Sequence, residues 1–199
     1  MAGHHHIHIL GQPGVGKSVL LRNIYAKQIV SKEGLILIDL KADLKIREDF
    51  RALCSGAHRM NDFMIIDLSH PENSYGYNPL LFGNATELKD KLVGAFEWSE
   101  PYYKKISERV LLTLLLGLVW LRDNGKSVPT LDDLSAALAS ASNMVTLSEL
   151  IENTTIKDSI RELASGFTKD FYQDLESLRT ELTLLTKSEF GIIFTKPDP

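Results

Sequence analysis

Cysteine is nearly absent: Cys54 is the single one among 199 residues. That excludes a disulfide framework and implies a reducing, cytoplasmic setting. No positively charged start runs into an apolar stretch, so a secretory leader is not expected. Long apolar runs are lacking too. The most apolar stretch, residues 110–121, falls short of the roughly 20 residues that a bilayer span needs, and its length suits a buried helix. Basic charge is in deficit: 22 Lys and Arg stand against 26 Asp and Glu, a formal net charge of -4. A global attraction to nucleic acid or to an anionic membrane is thereby excluded, and any DNA contact has to be local.

What the chain does have is ample apolar material. Hydrophobic residues make up 44% and charged ones 24%, enough for a sizeable core and too apolar for disorder. Short β-branched or apolar runs at 6–10, 35–38 and 63–66 read as strands, with helices expected over 17–30 and 44–54 between them. Gly34 is expected to end the first helix. Strands alternating with helices predict an α/β fold with a parallel sheet. After a polar loop over 71–84 the pattern turns helical for about the next hundred residues. Helices are expected over 85–97 and 101–122, the second opened by Pro101, then from Thr130 as N-cap, from Leu147, from Ile156 and over 170–185. Residues 190–194 resume a strand pattern before Lys196-Pro197-Asp198-Pro199. The organisation predicted is a first sheet part over 1–84, an all-helical insertion over 85–187 and a return over 188–199. Met1-Ala2-Gly3 before His4, His5 and His6 has the look of an appended start. A metal-binding reading of these histidines with His8 finds no second ligand cluster.

One stretch carries chemistry outright. Gly11-Gln12-Pro13-Gly14-Val15-Gly16-Lys17-Ser18 fits G-x-x-x-x-G-K-[ST] without mismatch, and Val19 continues into helical spacing. Glycines allow the backbone to wrap closely and aim N–H groups at phosphate oxygens. A helix starting at Lys17 adds its positive dipole end. Lys17 is expected at the β- and γ-phosphates and the Ser18 hydroxyl on Mg²⁺, which makes ATP with Mg²⁺ the expected ligand. Hydrolysis needs acids as well. Asp39 and Asp67 end apolar runs, and Asp39 with Lys41 forms a possible second site close after the first helix. Neither aspartate is followed by Glu, and no apolar run of four or more ends in Asp-Glu.

Several segments together resemble the type IV coupling proteins of conjugation (TraG/TraD-like), members of the HerA/FtsK group of hexameric DNA-pumping ATPases. They are residues 8–18, Leu35-Ile36-Leu37-Ile38-Asp39-Leu40-Lys41-Ala42-Asp43, Ile66-Asp67-Leu68-Ser69-His70-Pro71 and Tyr77-Asn78-Pro79-Leu80. The family pattern after the second strand has Gly where Ala42 stands. The resemblance implies a RecA-like P-loop sheet with an inserted helical subdomain. It also implies an ATPase partnered by DNA and by secretion or relaxosome proteins, and a hexamer when full length. Members carry membrane helices ahead of the motor and an acidic Asp-Glu strand beyond the helical part. Against that pattern the chain looks like an excised cytoplasmic piece of an inner-membrane-anchored protein, binding nucleotide and hydrolysing it poorly.

Two other readings stand beside it. A small-molecule or nucleotide kinase wants an arginine-bearing lid, and Arg109, Arg122, Arg161 and Arg179 are the arginines of the helical region. A non-catalytic, nucleotide-responsive interaction module uses the helical part to dock a partner. Tyr102, Tyr103, Lys104 and Lys105 read either as a DNA-stacking patch or as one solvated helix turn.

Overall fold

A computed structural model describes residues 7–41, 43–98 and 100–195, so His4, His5, His6, Ala42 and the closing residues 196–199 lie outside the described residues. The chain divides into two units, residues 1–65 and 66–199.

In the first unit α1 (Lys17–Val30) and α2 (Leu44–Gly56) pack through a small cluster. Tyr25, Ile29 and Cys54 are buried, with Leu35, Phe50 and Phe63 against them. The rings of Tyr25 and Phe50 lie 5.3 Å apart and those of Phe50 and Phe63 5.9 Å apart. Helix α1 does not end at Gly34. Ser31 is its C-cap, and Lys32 takes the left-handed conformation at φ 58°. Lys32 N–H donates to Ile29 O and Glu33 N–H to Gln28 O, the two bonds of a Schellman stop. Helix α2 ends the same way, with His58 at φ 55° and Arg59 N–H donating to Cys54 O. The Arg59 guanidinium reaches back to Ile29 O and Glu33 O, binding the carbonyl end of α1 with a cation where the helix dipole favours one.

Among the described residues the α/β sheet expected from the sequence is not present. Every regular element among the described residues is helical, and none is a strand. Residues 7–10, 33–39 and 63–67 run without helical structure, yet no ladder joins them. A wholly buried strand would cover both faces of residues 35–38, whereas Ile36 is 89% and Ile38 79% exposed and only Leu35 packs on the α1–α2 cluster. The physical reason is that an apolar run of four reports a wish for burial and not a partner. Strand identity comes from hydrogen bonds to a neighbour, which periodicity does not encode. Residues 190–194 are corrected as well. Gly191–Phe194 is a single helical turn, α10, with Ile193 buried.

The second unit is a helical bundle around one long element. Helix α3 (Ala85–Ala95) starts with a capping box: Asn84 accepts from Thr86 and Glu87 N–H, and Glu87 accepts from Asn84 N–H. Pro101 then opens α4 (Pro101–Asp123). Val110, Leu111, Leu114, Leu115, Leu118 and Leu121 of α4 are buried, the recurrence expected of one helical face. Around α4 lie α5 (Leu131–Ala137), α6 (Ala141–Glu149), α7 (Thr154–Ser165), α8 (Lys169–Asp174) and α9 (Glu176–Lys187). Thr130 stands at the N-cap of α5, where Asp133 accepts both its N–H and its hydroxyl. Helix α6 begins earlier than Leu147 because Ser140 caps it, accepting from Asn143 N–H. The single helix expected over 170–185 is two, broken at buried Leu175.

Gly117 sits in the middle of α4 for a steric reason. A Cβ there would stand 2.7 Å from Ile160 Cδ1 and 2.8 Å from Ile151 Cδ1. Both atoms end flexible side chains, so a methyl can be absorbed while a branched side chain cannot. Gly117→Val is expected to lower stability by about 2 kcal/mol. Gly117→Ala should be near neutral, since the helix-propensity gain of about 1 kcal/mol offsets the crowding. Urea denaturation followed by circular dichroism measures both, and equal losses would contradict the close approach.

Candidate phosphate-binding site

The glycine-rich loop and α1 form the site. Gly14 and Gly16 have φ of 84° and 92°, left-handed values that glycine adopts without a Cβ penalty. The two together turn the chain so that the backbone enters α1 directly. Gly11 is fixed by proximity, because a Cβ there would stand 2.7 Å from Val15 Cγ2. The first bond of the α1 ladder runs from Leu20 N–H to Gly16 O at 3.0 Å. Lys17, Ser18 and Val19 therefore present N–H groups ahead of the ladder. No side chain caps this helix start, and no acidic residue lies in its first turn. Asp43 caps α2 and Asn84 caps α3, whereas the start of α4, opened by Pro101, resembles that of α1 in having neither a side-chain cap nor an acid in its first turn. An uncapped start with the positive dipole end exposed is what an anion can complete.

Lys17 closes the loop on itself. Its Nζ donates to Gly11 O at 2.6 Å and to Gln12 O at 2.7 Å. That places the ammonium at the mouth of the loop, and residues 11–16, Ser18 and Val19 are all exposed. The sequence-predicted residues Gly11, Gln12, Pro13, Gly14, Val15, Gly16, Lys17, Ser18 and Val19 are thus one continuous surface feature.

Asp39 and Lys41 are placed differently. The Asp39 carboxylate accepts from Asp43 N–H at 2.7 Å and from Lys41 N–H at 3.1 Å, and these bonds hold it below the usual carboxylate range. It shapes the turn that leads to Asp43, which in turn caps α2 through Lys45 N–H. Among the described residues neither Asp39 nor Lys41 shares a hydrogen bond with loop 11–18. Asp67 likewise serves a local turn, accepting from Ser69 N–H and pairing with His70 Nδ1 at 3.2 Å.

Three of the four arginines of the helical unit are engaged inside it by a hydrogen bond or close stacking, and the fourth, Arg109, lies 5.8 Å from the Phe171 ring centre. Arg122 donates to Leu80 O and Gly83 O, Arg161 to Ser148 Oγ, and the guanidinium of Arg179 lies 3.8 Å from the Tyr172 ring centre. The Tyr77-Asn78-Pro79-Leu80 segment has a structural part to play. Asn78 Nδ2 donates to Pro129 O, its Oδ1 accepts from Leu80 N–H, and Lys91 Nζ donates to Pro79 O. Tyr77 N–H donates to Ile193 O at 2.7 Å, so the two ends of the bundle meet there.

Sequence reasoning missed the cluster that anchors α1. Arg22 donates to Asp49 Oδ1 through Nε and Nη2, and the Tyr25 hydroxyl donates to Asp49 Oδ2 at 2.7 Å. No local spacing announces a bond between residues on two different helices. Burial, together with donation to the Asp49 carboxylate, pushes the Tyr25 phenol up to about 12. Among the described residues no group of three or more His, Cys, Asp or Glu is placed to hold a metal, and no helix is long and apolar enough to cross a membrane. Compared with protein-family models, with curated proteins and with solved structures, the chain matches none of them.

Tyr25→Phe is expected to cost about 2 kcal/mol, the net value of one hydrogen bond to a charged carboxylate. Because the folded phenol ionises later than an unfolded one, near about 10, its contribution is whole below that pH and drains as pH rises toward 12. Urea midpoints measured across that range should converge for the two proteins. Parallel curves would contradict the Tyr25–Asp49 bond.

Proposed function

We propose that this chain binds the phosphates of a nucleoside triphosphate through residues 11–19. The observation that carries the reading is the start of α1: free of caps and acids, preceded by two left-handed glycines, and fronted by a lysine. An open start alone is not distinctive, since that of α4 also lacks a cap and an acid; its conjunction with the glycines and Lys17 is what supports the reading. The backbone N–H groups of Lys17, Ser18 and Val19 take the phosphate oxygens, and Lys17 exchanges its bonds to Gly11 O and Gln12 O for the terminal phosphates. Ser18 Oγ is the residue available to hold Mg²⁺, which when bound supplies positive charge to the same phosphates.

The wider role we propose is the nucleotide-binding part of an ATP-driven motor of the conjugation-coupling kind, acting on DNA with secretion or relaxosome partners and as a hexamer in its full assembly. That extension rests on the four sequence segments that resemble such motors. A kinase reading is less favoured, since Arg122, Arg161 and Arg179 are each held by groups of the helical unit and only Arg109 is without a hydrogen bond or close stacking partner among them.

Lys17→Ala is expected to weaken binding of a Mg²⁺–ATP analogue by at least about a hundredfold, as loss of a charge-assisted contact to phosphate implies. Isothermal titration calorimetry reads the affinity, and an unchanged melting temperature shows the fold intact. Unaltered affinity would refute the site. Turnover should stay low. With no Asp-Glu pair after an apolar run to position a water, steady-state phosphate release is expected below about one per second.

A further inference from the structure

Helix α4 is sheathed on one face and open on the other. Gly117, Leu118 and Leu121 are buried, whereas Arg109, Leu116 and Asp123 are exposed and Leu112 and Trp120 are half-buried. At 3.6 residues per turn these last five fall in one stripe about 80° wide. Leu116, at its centre, is 40% exposed. Leu112 and Trp120 rest on the bundle core with one side and leave the other open. One exposed leucine is ordinary in a folded surface, but a row of large apolar side chains along a single helix face marks a contact surface.

The order of the stripe selects its occupant. Outward from Leu116 the spacing is four residues and then three in both directions, to Leu112 and Arg109 on one side and to Trp120 and Asp123 on the other. A two-fold axis through Leu116 therefore sets Leu112 against Trp120 and Arg109 against Asp123, each pair twice. Among the described residues the Arg109 side chain makes no hydrogen bond or ion pair, its guanidinium carbon standing 5.8 Å from the Phe171 ring centre. Asp123 pairs with Arg122 of its own helix through Oδ1, and its side chain is 58% exposed, so its second oxygen can accept from another cation. A parallel pair would set Arg109 on Arg109 and Asp123 on Asp123, and like charges face to face exclude that orientation. A helix of another protein fits only if it repeats this order in reverse. A second copy carries that order itself.

We propose that the open face of α4 docks on the same face of a second copy of this chain, as an antiparallel helix pair with Leu116 on the two-fold axis. One helix face buries less than the roughly 1,200 Å² of a standard interface, so the dissociation constant is expected on the order of 10–100 μM. Residues 66–199 hold more acids than bases, and two copies repel at long range for that reason. Physiological salt screens that repulsion over about 8 Å, while the charges that meet within the contact are opposite in sign. The surface belongs to the helical unit and needs neither loop 11–18 nor nucleotide.

Sedimentation equilibrium of the full chain, from about 1 to 200 μM in physiological salt, reads the association. The average mass is expected to rise from that of one chain toward that of two. Leu116→Glu should weaken association at least about tenfold, while Leu184→Glu, at a leucine of α9 that is 59% exposed, should leave it unaltered. Arg109→Asp sets two acids together twice and should also cost about tenfold. Adding Asp123→Arg to it restores opposite signs and should return the affinity to within about threefold of the original. That pair alters exposed side chains alone, so it decides the question if Leu116→Glu lowers the melting temperature. A chain monomeric throughout, growth beyond two copies, indifference to Leu116→Glu, or a charge swap no tighter than Arg109→Asp by itself would each overturn the proposal.

Discussion

A helix with leucines over most of its surface persists in water only where other helices sheath it, and α4 sets that constraint on the second unit. Its row from Val110 to Leu121 is covered by α3, α5, α6 and α7, and the core cluster of the unit is continuous along it. Fully burying each such side chain stabilises the fold by about 2 kcal/mol, so the neighbours have little freedom to stand elsewhere. Gly117 is where that sheath comes closest, with Ile151 and Ile160 occupying the space a side chain would take. The first unit has no equivalent. Its cluster is small, and the Arg22–Asp49–Tyr25 bonds contribute what extended apolar packing supplies in the other unit.

The phosphate loop obeys a different constraint, since a helix start must find partners for its first N–H groups. Five of the ten α-helix starts among the described residues find them in an N-cap side chain: Asp43, Asn84, Ser140, Asn153 and Thr168 each accept a backbone N–H. Helix α1 does not, and neither do α4 and α9; what sets the start of α1 apart is the pair of left-handed glycines and the lysine at its front. Lys17 is held by carbonyls of the same loop, so the positive charge is kept at the site and is not left to swing in solvent.

What could be read from the sequence divides along the same line. Local chemistry was legible. The loop glycines, the Thr130 and Asn84 helix starts, the Pro101 opening and the α4 stripe all follow from residues within a few positions of one another. Non-local pairing was not. Residues 35–38 and 190–194 carry the same apolar density, and one is an extended exposed run while the other is a helical turn fixed against Tyr77. Lys32 and His58 took left-handed positions where glycine was the expected signal, because a Schellman stop depends on carbonyls three residues back as much as on the residue itself.

The hydrogen bond between Tyr77 N–H and Ile193 O has a mechanical meaning. It joins the two ends of the bundle back to back, with the Tyr77 and Phe194 rings edge to face beside it at 6.3 Å. A polypeptide that carries the bundle between its flanks is spanned there by a single short bridge, and the entropy of closing so long a loop is already met by the packing within. Tension applied across residues 77 and 193 therefore loads that bridge before it reaches any helix. Under force the junction should part first, as a discrete opening, while the sheath around α4 still holds.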